Sequence, residues 1–451
     1  MQPTLFHISS ETTDLVSHSG FALIGTLLES TDLRKRLDRI AVAGRPRPEI
    51  GNGDVCAAMI GLVAMGKPDF AAIEEWRDEP FFLEAMGLAK APSEATLRQR
   101  LDDLGSAPRE VILEESAALT RRHAPVVSAC WGDRVALDID VSPFDNSGTK
   151  KEGVSRTYKQ VDGYSPIFAY LGEEGYLVNL ALREGRQHCQ KGTAEFLKES
   201  IGLARGIVQA PLLVRMDAGN DSADNIRVCR KEKADWIVAR NLRNEKVDEW
   251  LETAWAFGEV DSPREGKTVL TGETHMVCDG RLERVVFRVT ERTTSADGQL
   301  LLFPDMEVRT WWTSLKCPAA EVISLYHAHA TSEQFHSELK TDLALERLPS
   351  GKFATNALVL LLGMVAYNCL RLIDQRSLSH PEDLPPSLRR RIEKRGLRRR
   401  RLRTVIQDLM YLAARIVRHA RSVALKFGRH SVWSRTWRRV YDAARAAPAS
   451  G

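Results

Sequence analysis

The chain has 451 residues, 43% of them apolar and 27% charged, a balance that suits a folded protein with a large core and excludes a low-complexity or disordered chain. Its seven cysteines are scattered and include no C-x-x-C pair, which argues against a disulfide framework or a zinc ribbon and fits a reducing cytosol. The net charge of +4 is unevenly spread: eighteen Lys/Arg stand against two acids between Leu388 and Val440, so the remainder is acidic and the basic stretch is a candidate polyanion contact.

In chain order, MQPTLFHISSETTD lacks the basic start and apolar core of a signal peptide. Residues 1–128 read as helices. Gly51-Asn52-Gly53 with Asp54 predicts a turn and cap before a helix over Val55–Met65, and Lys67-Pro68-Asp69 a turn before a helix carrying Ile73 and Trp76. Ser93 is positioned to cap EATLRQRLDDL. A short helix, a turn and a helix bearing Arg98 and Arg100 match a helix-turn-helix in outline, a pattern any three-helix bundle shares; residues 1–128 are thus a candidate DNA-binding region, with Arg98 and Arg100 as its DNA contacts.

At Asp133 the texture changes. RVALDIDVSPF alternates with a period of two and predicts a strand. PIFAYLGEEGYLVNLALREG predicts a hairpin turning at Gly172 to Gly175. A helix (TAEFLKESIGLARG), a strand (LLVRMD), a helix (SADNIRVCRKEK) and a strand (DWIVARN) follow. Together these give a layered α/β or α+β domain over 129–380. Within it, 241–315 reads as a β-rich insertion after the helix VDEWLETAW. A helix from Ala319 to Leu345 and an apolar helix from Asn356 to Asp374 return to the main body. The apolar run Ala357–Ala366 is too short for a membrane span and reads as buried, so no membrane partner is expected and the cytoplasm is the expected location. Pro381, Pro385 and Pro386 mark a linker to a basic region over 381–451, expected to be helical from the spacing of Val405, Leu409, Leu412 and Ile416.

The chemistry-bearing residues are acids on these elements. Asp138 and Asp140 project from one face of a single strand, where a buried charge is costly unless paired or metal-bound. Asp217 ends LLVRMD, at the carboxyl edge where open α/β sheets hold ligands. Glu333 lies on the later helix, with Tyr326 seven residues before it and Lys340 seven after, so a regular helix would align all three on one face. Carboxylates from three elements can hold two Mg²⁺ ions for displacement at phosphorus.

With these residues in view, the chain resembles DDE-type bacterial insertion-sequence transposases whose third acid lies in Y-x2-R-x3-E-x6-K, the insertion-sequence "thirteen-eighty" family in particular. The resemblance rests on the DID of Asp138 to Asp140, GYSPIFAYLGEEGYLVNLALREG, LLVRMDAGN at Asp217, YHAHATSEQFHSELKTDL at Tyr326, ARIVRHAR around Arg418, and RDEPFFLEAMGL with PSEATLRQRLD near the start. It implies an RNase H-like catalytic domain, with a mixed five-stranded sheet, flanking helices and the β-rich insertion between the second and third acids. It implies cleavage at the terminal inverted repeats of a mobile element and strand transfer into target double-stranded DNA, with Mg²⁺ or Mn²⁺ as cofactor and a homodimer assembled on DNA. Asp140, Asp217 and Glu333 would be the three acids. Asp138 rivals Asp140 as first acid and metal ligand; Asp140 is preferred because the family's first acid is followed two positions on by a hydroxyl residue, here Ser142. Tyr326, Lys340 and His329, at the signature arginine position, would contact DNA.

One departure is plain: the signature arginine is replaced by His329, which lacks the guanidinium fork. With His327 it reads as a neutral surface pair; paired metal ligation is disfavoured because i and i+2 diverge on a helix. Relatives with the signature hold a flipped base with an aromatic residue of the insertion, which makes Trp312 a DNA-contact candidate. Trp311 and Trp312 are adjacent on a strand, so one of them is expected in the core. The alternative to an active transposase is a catalytically silent, transposase-derived DNA-binding protein, which would be marked by a damaged triad.

Overall fold

The structure is a computed structural model and describes residues 14–42, 48–295, 297–420 and 422–446. Most of the leader that argued against a signal peptide, and Arg421 of the ARIVRHAR segment, lie outside the described residues.

Among the described residues nine strands form one mixed sheet. They are Val135–Val141 (β1), Ile167–Leu171 (β2), Tyr176–Ala181 (β3), Leu212–Met216 (β4), Asp235–Ala239 (β5), Glu259–Arg264 (β6), Lys267–Cys278 (β7), Arg281–Thr294 (β8) and Leu300–Thr313 (β9). Their order across the sheet is β6-β7-β8-β9-β5-β4-β1-β2-β3. β1, β4 and β5 run parallel, whereas β2 and β3 return antiparallel through the predicted hairpin, with left-handed backbone at Gly172 and Gly175. The insertion is not a separate layer. Its last strand pairs antiparallel with β5 through Trp311–Thr313, so the long hairpins continue the central sheet. β6 is wholly exposed and lacks the alternation that announces a strand.

Both faces of β1 are covered. Leu137 and Ile139 pack with Phe196, Leu197 and Ile201 of the helix Thr193–Ile207. On the opposite face, Phe168 and Tyr170 of β2 join a core that includes Phe335 and the helix Phe353–Leu378. That helix is long and apolar enough to cross a membrane, and 83% of its most apolar window is buried inside the protein, as expected for Ala357–Ala366.

The same apolar core takes in the helices Phe21–Glu29, Asn52–Ala64, Glu94–Leu104 and Arg109–His123, and the C-terminal Leu402, Leu409 and Trp437. The sequence divisions at 128 and 381 therefore do not bound separate cores. Ser93 caps its helix by accepting from the Thr96 amide at 3.2 Å, as its position predicts, and Asp69 caps a 3₁₀ turn over Phe70–Glu75. The basic region departs from the helical expectation. Ala414–His419 and Ser422–Phe427 form an antiparallel hairpin whose first strand also pairs with Leu15–Val16, so Ile416 lies on a strand. Pairing with the start of the chain satisfies backbone groups that a helix would have satisfied internally.

Candidate active site

The helix expected from Ala319 to Leu345 is broken. An α-helix over Ala319–His327 passes through a 3₁₀ turn, Ala328–Thr331, into a short helix, Ser332–Ser337, and then a π-turn, Glu338–Asp342. Despite the breaks, Tyr326, Glu333 and Lys340 all line one cavity of about 580 Å³, together with Asp140 and Asp217.

The two aspartates are neighbours because of strand register. β1 and β4 run parallel with Ile139 opposite Met216, so Asp140 and Asp217 follow as the next residues at the carboxyl edge. Asp140 accepts from the Val141 amide at 2.7 Å, from His336 Nε2 at 2.9 Å and from the Ser332 hydroxyl at 3.3 Å. Burial pushes its carboxyl up, but these partners, His336 foremost, bring it below the ordinary value. Asp217 accepts from Asn220 Nδ2 at 2.7 Å, on the 3₁₀ turn that leaves the strand. Its carboxyl is shifted upward, first by burial and then by the charge of Asp140. Glu333 is exposed on the cavity wall.

This donor set suits a hard divalent cation: oxygen ligands only, and two carboxylates close enough for one to disfavour ionisation of the other. Among the described residues, however, no group of three or more His, Cys, Asp or Glu side chains is already arranged around one point, so Glu333 would have to turn inward to complete a site.

Asp138 must be removed from the ligand set. Although it shares a face with Asp140, it is buried and accepts from Arg215 Nε and Nη2 at 2.6 and 2.7 Å. Arg215 is its register partner on β4. His329 Nδ1 lies 3.0 Å from Asp138 Oδ1, a close charge contact. The surface pair expected of His327 and His329 is thus half wrong. His327 is exposed, but His329 is buried; burial lowers its pKa, and the adjoining Asp138 more than reverses this, leaving it raised.

Tyr326 packs against Trp311 at a tilt of 55°, with ring centroids 5.7 Å apart, and burial with the nearby Asp217 and Asp140 charges pushes its phenol to about 12. Lys340 donates to the Pro143 carbonyl at 2.6 Å, and burial lowers its pKa. Both tryptophans are buried, correcting the expectation for Trp312 as a base-holding ring. Its indole N–H donates to Asp221 at 3.0 Å and Arg240 covers its face at 4.5 Å, which leaves no free ring surface. Arg100 is also unsuited to DNA contact, being buried and donating to the Ile50 carbonyl at 3.0 Å; Arg98 is exposed and pairs with Glu94. The sequence reading missed His336, Ser332, Tyr158 and Lys159. His336 follows Glu333 by three residues and was legible as a helical neighbour. Tyr158 and Lys159 reach the cavity from a loop whose spacing carries no such signal.

The sequence matches the family described as Transposase DDE domain group 1 over residues 6–449. The chain belongs to this DDE transposase family. A solved structure of piggyBac transposase, a synaptic complex with hairpin DNA, is similar over 89% of this chain and 82% of that one, at 10% sequence identity and a TM-score of 0.42. Comparison with curated proteins found no match. Four acids line the cavity: the three expected from the sequence, Asp140, Asp217 and Glu333, and Glu346, which the sequence reading did not single out.

Proposed function

We propose that this DDE transposase binds the terminal inverted repeats of an insertion sequence of the "thirteen-eighty" type, then cuts the DNA and joins the freed end to a target. The observation that carries this reading is the convergence of Asp140, Asp217 and Glu333 on one cavity that Tyr326 and Lys340 also line. The strand order β3-β2-β1-β4-β5, three strands in antiparallel succession followed by two parallel ones, supports an RNase H-like core.

On this reading Asp140 and Asp217 hold Mg²⁺, or Mn²⁺ in its place, and Glu333 completes the ligand set. When bound, the cations supply charge neutralisation at the phosphate and acidify the attacking water or hydroxyl. The protein's own groups do the rest. The Val141 amide and His336 fix the Asp140 carboxylate, while Asn220 fixes that of Asp217. Tyr326 and Lys340 flank the scissile phosphate. In the first reaction a water oxygen bonds to phosphorus, the bond to the 3′-oxygen breaks, and a proton returns to that oxygen. In the second the freed 3′-hydroxyl attacks a target phosphate and expels another 3′-oxygen. Two ends must be processed together, which favours a dimer on DNA, and the setting would be the bacterial cytoplasm.

The test is cleavage of DNA carrying the chain's own flanking sequences, with Mg²⁺. The unaltered protein should nick and join these ends, whereas Asp217→Ala and Glu333→Ala should bind them without cutting. Full activity in either variant would refute the site. Binding without cleavage by the unaltered protein, in Mg²⁺ and Mn²⁺ alike, would favour the silent DNA-binding alternative.

A further inference from the structure

Within the arginine-rich stretch that reads as a polyanion contact, Arg400 is buried and Arg399 nearly so, whereas Arg398, Arg401 and Arg403 are exposed. Residues 398–403 lie between the π-turn that follows Glu333 and the buried helix Phe353–Leu378, and they meet acids on both sides. On the π-turn, Glu338 is buried and accepts from Arg399 and, at 3.2 Å, from the Leu402 amide. Asp342 accepts from Arg401 Nε at 2.9 and 3.0 Å and from the Arg403 amide at 3.0 Å. Arg401 also donates to Ser337 at 3.2 Å, and the Arg399 guanidinium lies 4.2 Å over the Phe335 ring.

The other side is anchored to the protein's central helix. Arg371 donates to Glu338 at 2.7 Å and to Asp374 at 2.9 Å, and Arg400 donates to Asp374 at 2.8 Å. The short helix that presents Glu333 ends at Ser337, and the run touches it at both Phe335 and Ser337. A guanidinium that grips a carboxylate through several donors fixes direction as well as distance.

We propose that Arg399 and Arg401 are positioning residues for Glu333: through Glu338, Asp342 and Ser337 they set the position and pitch of its helix, so that the C-terminal region governs assembly of the cation site. The proposal rests on the three-acid reading above. It assigns a role to basic residues that composition alone would have given to DNA.

The experiment titrates full-length protein with Mn²⁺ alone and follows the free ion by electron paramagnetic resonance, with binding of end DNA and the melting temperature measured alongside. Glu333→Gln is the control for the site itself. Arg401→Ala, a half-exposed residue, should raise half-saturating Mn²⁺ about tenfold while leaving DNA affinity within about twofold, and Arg401→Lys should recover part of the loss. If Glu333→Gln weakens Mn²⁺ binding but Arg401→Ala only lowers the melting temperature, the positioning role is wrong. If Glu333→Gln itself leaves Mn²⁺ binding unchanged, the three-acid reading fails first. Should Arg401→Ala not fold, Arg401→Lys carries the same comparison, and unchanged Mn²⁺ binding in it overturns the proposal.

Discussion

Arg215 donates two hydrogen bonds to Asp138, at 2.6 and 2.7 Å, across adjacent parallel strands. Burial alone would raise the Asp138 carboxyl, but Arg215 and His329 outweigh it and hold the group at about 2. The unfolded value is about 3.9. With the folded value depressed, the stability from this group is present above the unfolded pKa and is lost as pH falls through the folded one. It should amount to about 2 to 3 kcal/mol, disappearing between about pH 4 and about pH 2. His329 acts in the opposite sense: its raised pKa gives stability that is complete below about 6.5 and lost as pH rises through its folded value. Urea unfolding followed from neutral to acid pH should show the acid loss, and Asp138→Asn should flatten it. A variant curve as steep as the parent's would assign the loss to another group.

Removing the other partner tests the same pair from a different side. Arg215→Met leaves the Asp138 charge buried against His329 alone, and the expected destabilisation is about 3 to 5 kcal/mol. Asp138→Leu combined with Arg215→Met removes both charges and should recover much of that loss. If the double variant is no more stable than Arg215→Met by urea denaturation, the pair is not the source of the effect.

How much of this was legible in sequence depends on how local each signal is. The period-two run around Asp138 and Asp140, the Gly172–Gly175 turn and the cap at Ser93 are fixed by nearest neighbours, and each appears as its pattern predicts. Which aspartate faces a ligand was not legible, because both share a face and only Arg215, seventy-seven residues away in sequence, separates them. The heptad of Tyr326, Glu333 and Lys340 does reach one cavity, though through 3₁₀ and π turns that a heptad argument does not foresee. The ion pairs of Arg399, Arg400 and Arg401 were not legible for the same reason: their acids, Glu338, Asp374 and Asp342, are brought to them only by the fold.

The β2–β3 turn also bears on Glu333. Gly175 has φ of +72°, and a Cβ there would fall 2.5 Å from the Phe335 ring, two residues beyond the acid. Gly175→Ala should therefore strain the turn and push the helix that carries Glu333, at a stability loss of about 1 to 3 kcal/mol. End cleavage should fall more than DNA binding does. Parallel thermal melting, gel-shift and cleavage measurements check this, and wild-type cleavage in a destabilised variant would show that the helix tolerates the displacement.

Two arginines of one helix, Arg98 and Arg100, should separate DNA contact from folding. Arg100 is buried and donates to the Ile50 carbonyl at 3.0 Å, so Arg100→Ala should lower stability without a specific effect on the salt dependence of DNA binding. Arg98 is exposed, pairs i,i+4 with Glu94 and lies 5.7 Å from the Phe70 ring. If this helix lies against the element's ends, Arg98→Ala should leave the melting temperature nearly unchanged and reduce the slope of log K against log salt by about one. Binding isotherms across a salt series decide it: an unaltered slope would exclude Arg98 from the phosphate contacts and leave DNA recognition to surfaces outside this helix.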